Sequence, residues 1–203
     1  MDLFDTAASP EAVLAALRNE LARTADWPDF AARATQPVPG EGPIGADLLF
    51  VGEQPGDEED LAGLPFVGPA GRLFNRAMAE AELPRDRAYV TNAVKHFKFT
   101  MLGKRRLHQG PDAGDITRYR PLLLREIAAV GPKRVVALGA TALQALTGKK
   151  LPVLKSRGQL LRGLTDAPVF ATVHPSYLLR LPDPGLQAEE YRRFVADLRA
   201  LTQ

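Results

Sequence analysis

The side chains best suited to chemistry stand in four short runs. Gly52-Glu53-Gln54-Pro55-Gly56-Asp57 sets a carboxylate directly after each of two glycines, Asn92 interrupts the apolar run Tyr89 to Val94, His108 closes a basic stretch, and His174-Pro175-Ser176 follows a further apolar run. The three histidines, at 96, 108 and 174, all fall after such runs or in the loop that continues one. Imidazoles move protons or attack as nucleophiles near neutral pH. Carboxylates steady a developing cation, and a carboxamide reads an edge carrying both a donor and an acceptor. Cysteine is absent, which excludes disulfides, thiolate zinc sites, a cysteine nucleophile and a conventional cysteine-held iron–sulfur cluster.

Charge is distributed in blocks. Lys95 to His108 carries Lys95, Lys98, Lys104, Arg105 and Arg106 with no acid, while Glu53 to Asp60 carries Glu53, Asp57, Glu58, Glu59 and Asp60 with no base. A basic wall beside an acidic one suits a site that grips phosphates and stabilises a developing cation, and a nucleic-acid substrate fits both. Each run also has a plainer reading. The acidic block reads equally as a strand-to-helix turn, the basic block as a solvated hairpin between Gly103 and Gly110, Asn92 as a backbone cap, and His174 and Ser176 as caps of a strand and a helix. The net charge of +2 is by itself a weak argument for a polyanionic partner.

The elements that must position these residues follow from periodicity. Asp47 to Gly52, Ala88 to Val94, Arg134 to Gly139 and Val169 to Val173 read as buried strands. Pro69 to Glu82, Ile116 to Val130, Thr141 to Thr147 and Leu186 to Leu201 read as helices, the last with Tyr191, Phe194, Val195, Leu198 and Leu201 on one stripe. Ser9 and Pro10 open an earlier helix, and Thr35 to Gly45, with three prolines and three glycines, reads as an extended entry loop. Strands alternating with helices predict a three-layer α/β/α sandwich on a mainly parallel four-stranded sheet, whose ligands bind beyond the carboxyl ends of the strands. Gly139-Ala140-Thr141 is read there as no more than a tight turn and a helix cap. The 203 residues, with 45% hydrophobic and 25% charged side chains, no repeat and no long linker, predict one soluble domain. No apolar run approaches the ~20 residues that span a bilayer, and Met1 to Asp5 begin acidic where a signal peptide is basic. A location in the bacterial cytoplasm or nucleoid is expected.

Four ordered stretches, Gly52 to Phe74, Tyr89 to Phe99, Gly103 to His108 and Ala171 to Arg180, resemble the uracil-DNA glycosylase superfamily, and within it the family-four-related subgroup called UdgX. The resemblance runs from about Thr35 into the last helix. It implies an enzyme that removes uracil from DNA and, in this subgroup, ends covalently attached to the abasic sugar through the histidine of the basic loop, here His108. It further implies that Asn92 and Phe66 hold the extruded base, that Gly52 and Gln54 line the turn, that Glu53 and Asp57 supply carboxylate chemistry, and that His174 faces uracil. Lys104, Arg105, Arg106 and the Ser176 amide are expected to meet phosphates, and Arg157 reads equally as a further phosphate contact or as part of a surface loop. Relatives in this branch carry an iron–sulfur cluster; the equivalent places here hold Ala25, Pro28, His96 and Tyr119, so a cluster-free protein is expected, with Trp27, Phe30 and Tyr119 packing in its place and no metal. The partner implied is uracil-containing DNA, single- or double-stranded, with no membrane and a monomeric protein. A multiple-turnover glycosylase without capture and an inert binder of uracil-containing or abasic DNA are the other readings.

Overall fold

The computed structural model describes residues 8–202, so the acidic start at Met1 to Asp5 lies outside the described residues. In chain order the elements are α1 (Pro10–Ala22), β1 (Leu48–Gly52), α2 (Asp57–Ala62), α3 (Pro69–Glu80), β2 (Tyr89–Asn92), β3 (Phe99–Leu102), β4 (Arg105–His108), α4 (Ala113–Val130), β5 (Arg134–Leu138), α5 (Ala140–Thr147), α6 (Val153–Ser156), β6 (Leu160–Leu161), β7 (Val169–Thr172), α7 (Pro175–Leu179) and α8 (Pro184–Arg199). Ser9 caps α1 as expected, its side chain accepting the Ala12 N–H.

The central sheet runs β2-β1-β5-β7-β6, with the first four strands parallel and β6 antiparallel to β7. It is thus five-stranded, one more than the sequence predicts, because β6 has only two residues and leaves no apolar run to read. Side chains alternate between the two faces. Phe50, Val90, Val136, Leu138 and Phe170 pack with Phe74, Met78, Phe194 and Leu198 of α3 and α8. Leu49, Val51, Val135, Ala137, Val169 and Ala171 pack with Leu123, Ile127, Leu143 and Leu146 of α4 and α5. Both faces are therefore covered, as parallel strands require. Leu17 and Leu21 of α1 add a smaller cluster with Tyr119 and Leu122 of α4.

Two features place the site. The chain leaves β1 for β2 on one side, while β5 pairs with the other side of β1, so loops diverge at the carboxyl end of β1 and leave a crevice. Outside the main sheet, β3 and β4 form a separate antiparallel hairpin, with Phe99 opposite His108 and Met101 opposite Arg106. The basic block is a hairpin with its turn at Gly103, whose φ is +59°.

Candidate active site

Beyond the carboxyl ends of the parallel strands lies a cleft of about 960 Å³. Eight of the nominated residues line it: Glu53, Gln54, Asp57, Phe66, Asn92, His108, His174 and Ser176.

Its floor is built by close packing. Asn92, the last residue of β2, is 3% exposed, and its Nδ2 has no partner among the described residues. A buried amide donor without an acceptor is costly, so the group is shaped to meet a ligand. Gly52 does not line the cleft. It contributes by lacking a side chain, since a Cβ there would stand 2.3 Å from Asn92 Oδ1 and 2.9 Å from Phe66 Cζ. Phe66 is buried with φ of +59°, a strained setting for a non-glycine residue. Buried Glu59 secures that turn. Its carboxylate accepts the Gly56 N–H at 2.6 Å and hydrogen-bonds the Phe66 and Gly68 amides, although burial still leaves it above the usual carboxylate range. Gly71 lets α3 start directly beneath, where a Cβ would lie 1.8 Å from the Phe66 carbonyl oxygen.

Two histidines converge on one carboxylate. His108 Nε2 lies 3.1 Å from Glu53 Oε1, and Thr141 Oγ1 donates to Glu53 Oε2 at 2.8 Å. Burial works to raise the Glu53 pKa, but the hydrogen bonds from His108 and Thr141, with a smaller electrostatic contribution from the two imidazoles, hold it below the usual range. His174 is fixed differently. The Ser176 backbone N–H donates to its Nδ1 at 3.1 Å, so a neutral ring carries its proton on Nε2. Burial pushes the His174 pKa down to about 4; Glu53 opposes the shift, and Arg180 and His108 reinforce it. His174 is therefore a neutral donor at pH 7, and Glu53 an anion beside it.

Residues 39–199 match the family model for the uracil DNA glycosylase superfamily. The chain belongs to that superfamily. It is 37% identical over 164 residues to the type-4 uracil-DNA glycosylase of Thermotoga maritima, covering 80% of this chain and 79% of that protein. It is 34% identical over 172 residues to the type-4 enzyme of Sulfurisphaera tokodaii, covering 81% and 75%. For the type-4 enzyme of Pyrobaculum aerophilum the figures are 33% over 152 residues, with 71% and 74% covered.

Against that superfamily background, the basic residues divide sharply. Arg106 does not face outward. Its guanidinium meets Asp57 Oδ1 at 2.6 Å, the fully buried Asp60 Oδ2 at 2.5 Å and Thr35 Oγ1 at 3.1 Å, and it lies over the rings of Phe97 and Phe99. Lys95 is buried against Glu126, 2.5 Å away, and also bonds Thr91; Lys98 pairs with Asp112 and Asp115. Arg157 turns inward to Glu190 and Asp197, its side chain 6% exposed. The Ser176 amide, expected to meet a phosphate, is committed to His174. Lys104 and Arg105 remain exposed at the hairpin turn, with no ion pair among the described residues.

Gln54 lines the cleft but its side chain is occupied as a brace. Nε2 donates to the carbonyls of Lys98 and Gln109, and Oε1 accepts the Lys98 N–H, so one amide ties together both feet of the hairpin that carries His108. Sequence reasoning missed Thr141, Asp60 and Glu59. Asp57 and Asp60 are spaced i, i+3 on α2, a legible hint that both could serve one guanidinium. Thr141 gave no comparable signal, because its partner is 88 positions away.

Proposed function

We propose that this protein excises uracil from DNA and then captures the abasic sugar on His108. The observation that carries this reading is the His108 Nε2–Glu53 Oε1 contact of 3.1 Å at the edge of a cleft floored by Asn92 and Phe66. A base stacked in a duplex exposes no glycosidic bond, so the substrate nucleotide is extruded or comes from single-stranded DNA. Asn92 offers its unpartnered Nδ2–H and its carbonyl oxygen to the imide edge of uracil, an edge that cytosine, with its amine, cannot mimic. Phe66 stacks on the ring.

As the bond breaks, negative charge enters the base and positive charge the sugar. The Nε2–H of neutral His174 stabilises the first, and anionic Glu53 the second. Asp57 contributes less directly, since Arg106 already pairs with it. His108 then bonds to the anomeric carbon through the nitrogen that Glu53 leaves with its lone pair, and Glu53 takes the proton from the other. The ring outcompetes water because it is held beside its target. The exposed Lys104 and Arg105 supply phosphate contacts.

The iron–sulfur cluster of relatives does not fit the residues present. Where it would lie, Trp27 stacks on Tyr119 with ring centroids 4.5 Å apart, Phe30 sits 6.3 Å from Tyr119, and His96 Nδ1 is 2.7 Å from the Tyr119 hydroxyl. No thiolate is available in the chain. We read this as an aromatic packing in place of a metal staple, and purified protein is expected to be colourless and iron-free.

The decisive assay is a denaturing gel with uracil-containing single-stranded DNA. A shifted band with the native chain, absent for His108→Ala while uracil is still released, supports the reading. Release of uracil beyond one equivalent with no shifted band makes the protein a turnover glycosylase, and binding without release makes it an inert binder.

A further inference from the structure

We infer that Thr141 biases which nucleophile the sugar takes: by donating a hydrogen bond to the second oxygen of Glu53, it makes that oxygen a weaker base for water and favours capture by His108. This inference rests on the capture reading above.

Glu53 has two oxygens, and both are assigned. Oε1 faces His108 Nε2, while Oε2 accepts the Thr141 hydroxyl proton at 2.8 Å. Thr141 lies in the first turn of α5, immediately after β5, so it approaches the carboxylate from the side opposite the hairpin. The carboxylate is not sealed off, its side chain being 33% exposed. Solvent therefore has access to the site. Each oxygen keeps a second lone pair, but the Thr141 hydrogen bond lowers the basicity of Oε2 and makes it a poorer acceptor for a water proton.

The two outcomes balance differently at the same cation. In capture, a His108 nitrogen bonds to the anomeric carbon and the proton on the other nitrogen passes to Glu53 Oε1. In hydrolysis, a water oxygen forms that bond and one water proton must pass to a carboxylate oxygen, giving a free abasic sugar. Uracil departs as the anion in both. A hydrogen bond to a carboxylate is strong enough to bias this choice. The groups facing Glu53 are His108 from the hairpin, His174 from the segment after β7 and Thr141 from α5. The Thr141 hydroxyl carries no titratable charge, so its hold persists across pH.

The test is a product partition. Thr141→Val keeps the volume and removes the hydroxyl, Thr141→Ala removes both, and Thr141→Ser restores the donor. Each is mixed with uracil-containing single-stranded DNA under single-turnover conditions, and adduct and free abasic strand are quantified from one denaturing gel beside total uracil released. The expected result is a fall of about tenfold in the adduct-to-hydrolysis ratio for Val and Ala, with Ser close to the native chain. The acid limb of capture also moves to higher pH in Val and Ala, as Glu53 loses a hydrogen bond that favours its anion. An unchanged partition in either Val or Ala, with native chain still forming adduct, overturns the role of Thr141 and leaves the capture reading standing. Absence of adduct with the native chain overturns both. Ala serves where Val fails to fold, and a fall in uracil release and adduct by the same factor, with the ratio unmoved, identifies a purely structural residue.

Discussion

The hairpin that carries His108 and the segment that carries His174 deliver the same side chain to the same carboxylate by opposite means. His174 follows directly on a central strand and is locked by the backbone: its Nδ1 accepts the Ser176 amide, and burial keeps the ring neutral. His108 ends a two-stranded hairpin outside the main sheet and is 48% exposed on its side chain. That hairpin is held by side chains, Gln54 at its feet and Arg106 along β4. A group that must present one donor in one tautomer is built into the scaffold. Under the proposed capture, His108 would have to travel to a carbon atom, and it is mounted on something that can give.

The largest effects separate these two duties. His174→Ala should slow uracil release about 10²–10³-fold, as loss of one preorganised donor to a developing anion does, and adduct should fall with it because capture follows excision. His108→Ala should abolish adduct while uracil release stays within about tenfold. Single-turnover measurement of both products checks the pair; if His108→Ala slows release as much as His174→Ala, the division of labour is wrong.

A second contrast concerns acid. His96 is fully buried and burial pushes its pKa down to about 4, below the ~6.5 of an unfolded histidine. Below 6.5 the unfolded chain thus binds more protons than the folded one, so stability falls as pH drops from about 6.5 towards 4. The loss between pH 7 and pH 4.5 is on the order of 2 kcal/mol from His96. Urea unfolding at the two pH values tests it, and His96→Phe should flatten the difference by that amount. An unaltered pH dependence in the variant would mean the ring is charged or solvated in the native protein.

Arg106 comes next. Its partners are Asp57, 52% exposed, and Asp60, fully buried, so its loss unpins the hairpin and leaves a buried carboxylate unpaired. Arg106→Ala should cut adduct yield about tenfold with a smaller effect on uracil release, and Arg106→Lys should recover part of it, since an ammonium cannot span both carboxylates in a fork. Because the guanidinium is already neutralised, the salt dependence of DNA binding should not change. A flatter salt dependence would return Arg106 to the phosphate footprint.

That last point marks where sequence reading works and where it stops. β1, β2, β5 and β7 are legible because each is a short apolar run buried on both faces, and α8 because its stripe has the helical period. The hairpin is legible only as one of two readings of the basic block, since Met101 and Leu102 of β3 are exposed, β4 is mostly polar and neither strand shows a clear apolar alternation. Glu53, Asn92, His108 and His174 are legible because their types are rare or misplaced in their surroundings. The charge blocks mislead for a physical reason: composition shows one sign at a time, and folding sets the two blocks against each other. Arg106 meets Asp57 and Asp60 across 49 and 46 positions, and the basic wall expected to meet phosphates shrinks to Lys104 and Arg105. Thr141 is illegible for the same reason, a single long-range bond that no local pattern announces.

The smallest predicted effect follows from that shrunken wall. Lys104 and Arg105 flank the hairpin turn, exposed and without an acidic partner among the described residues. Each neutralised phosphate on a single strand contributes a slope of about −0.7 to log K against log salt. Lys104→Ala and Arg105→Ala should each flatten that slope by about 0.7, weakening affinity a few-fold at moderate salt and leaving the ratio of adduct to uracil release unchanged. The double variant should lose close to the sum, since two solvated cations that share no partner act independently. Fluorescence anisotropy of a labelled strand across a salt series measures it. A slope unmoved in the double variant would leave the hairpin tip with no part in holding DNA, and the phosphate contacts would then have to come from the opposite rim, where Arg180 lines the cleft.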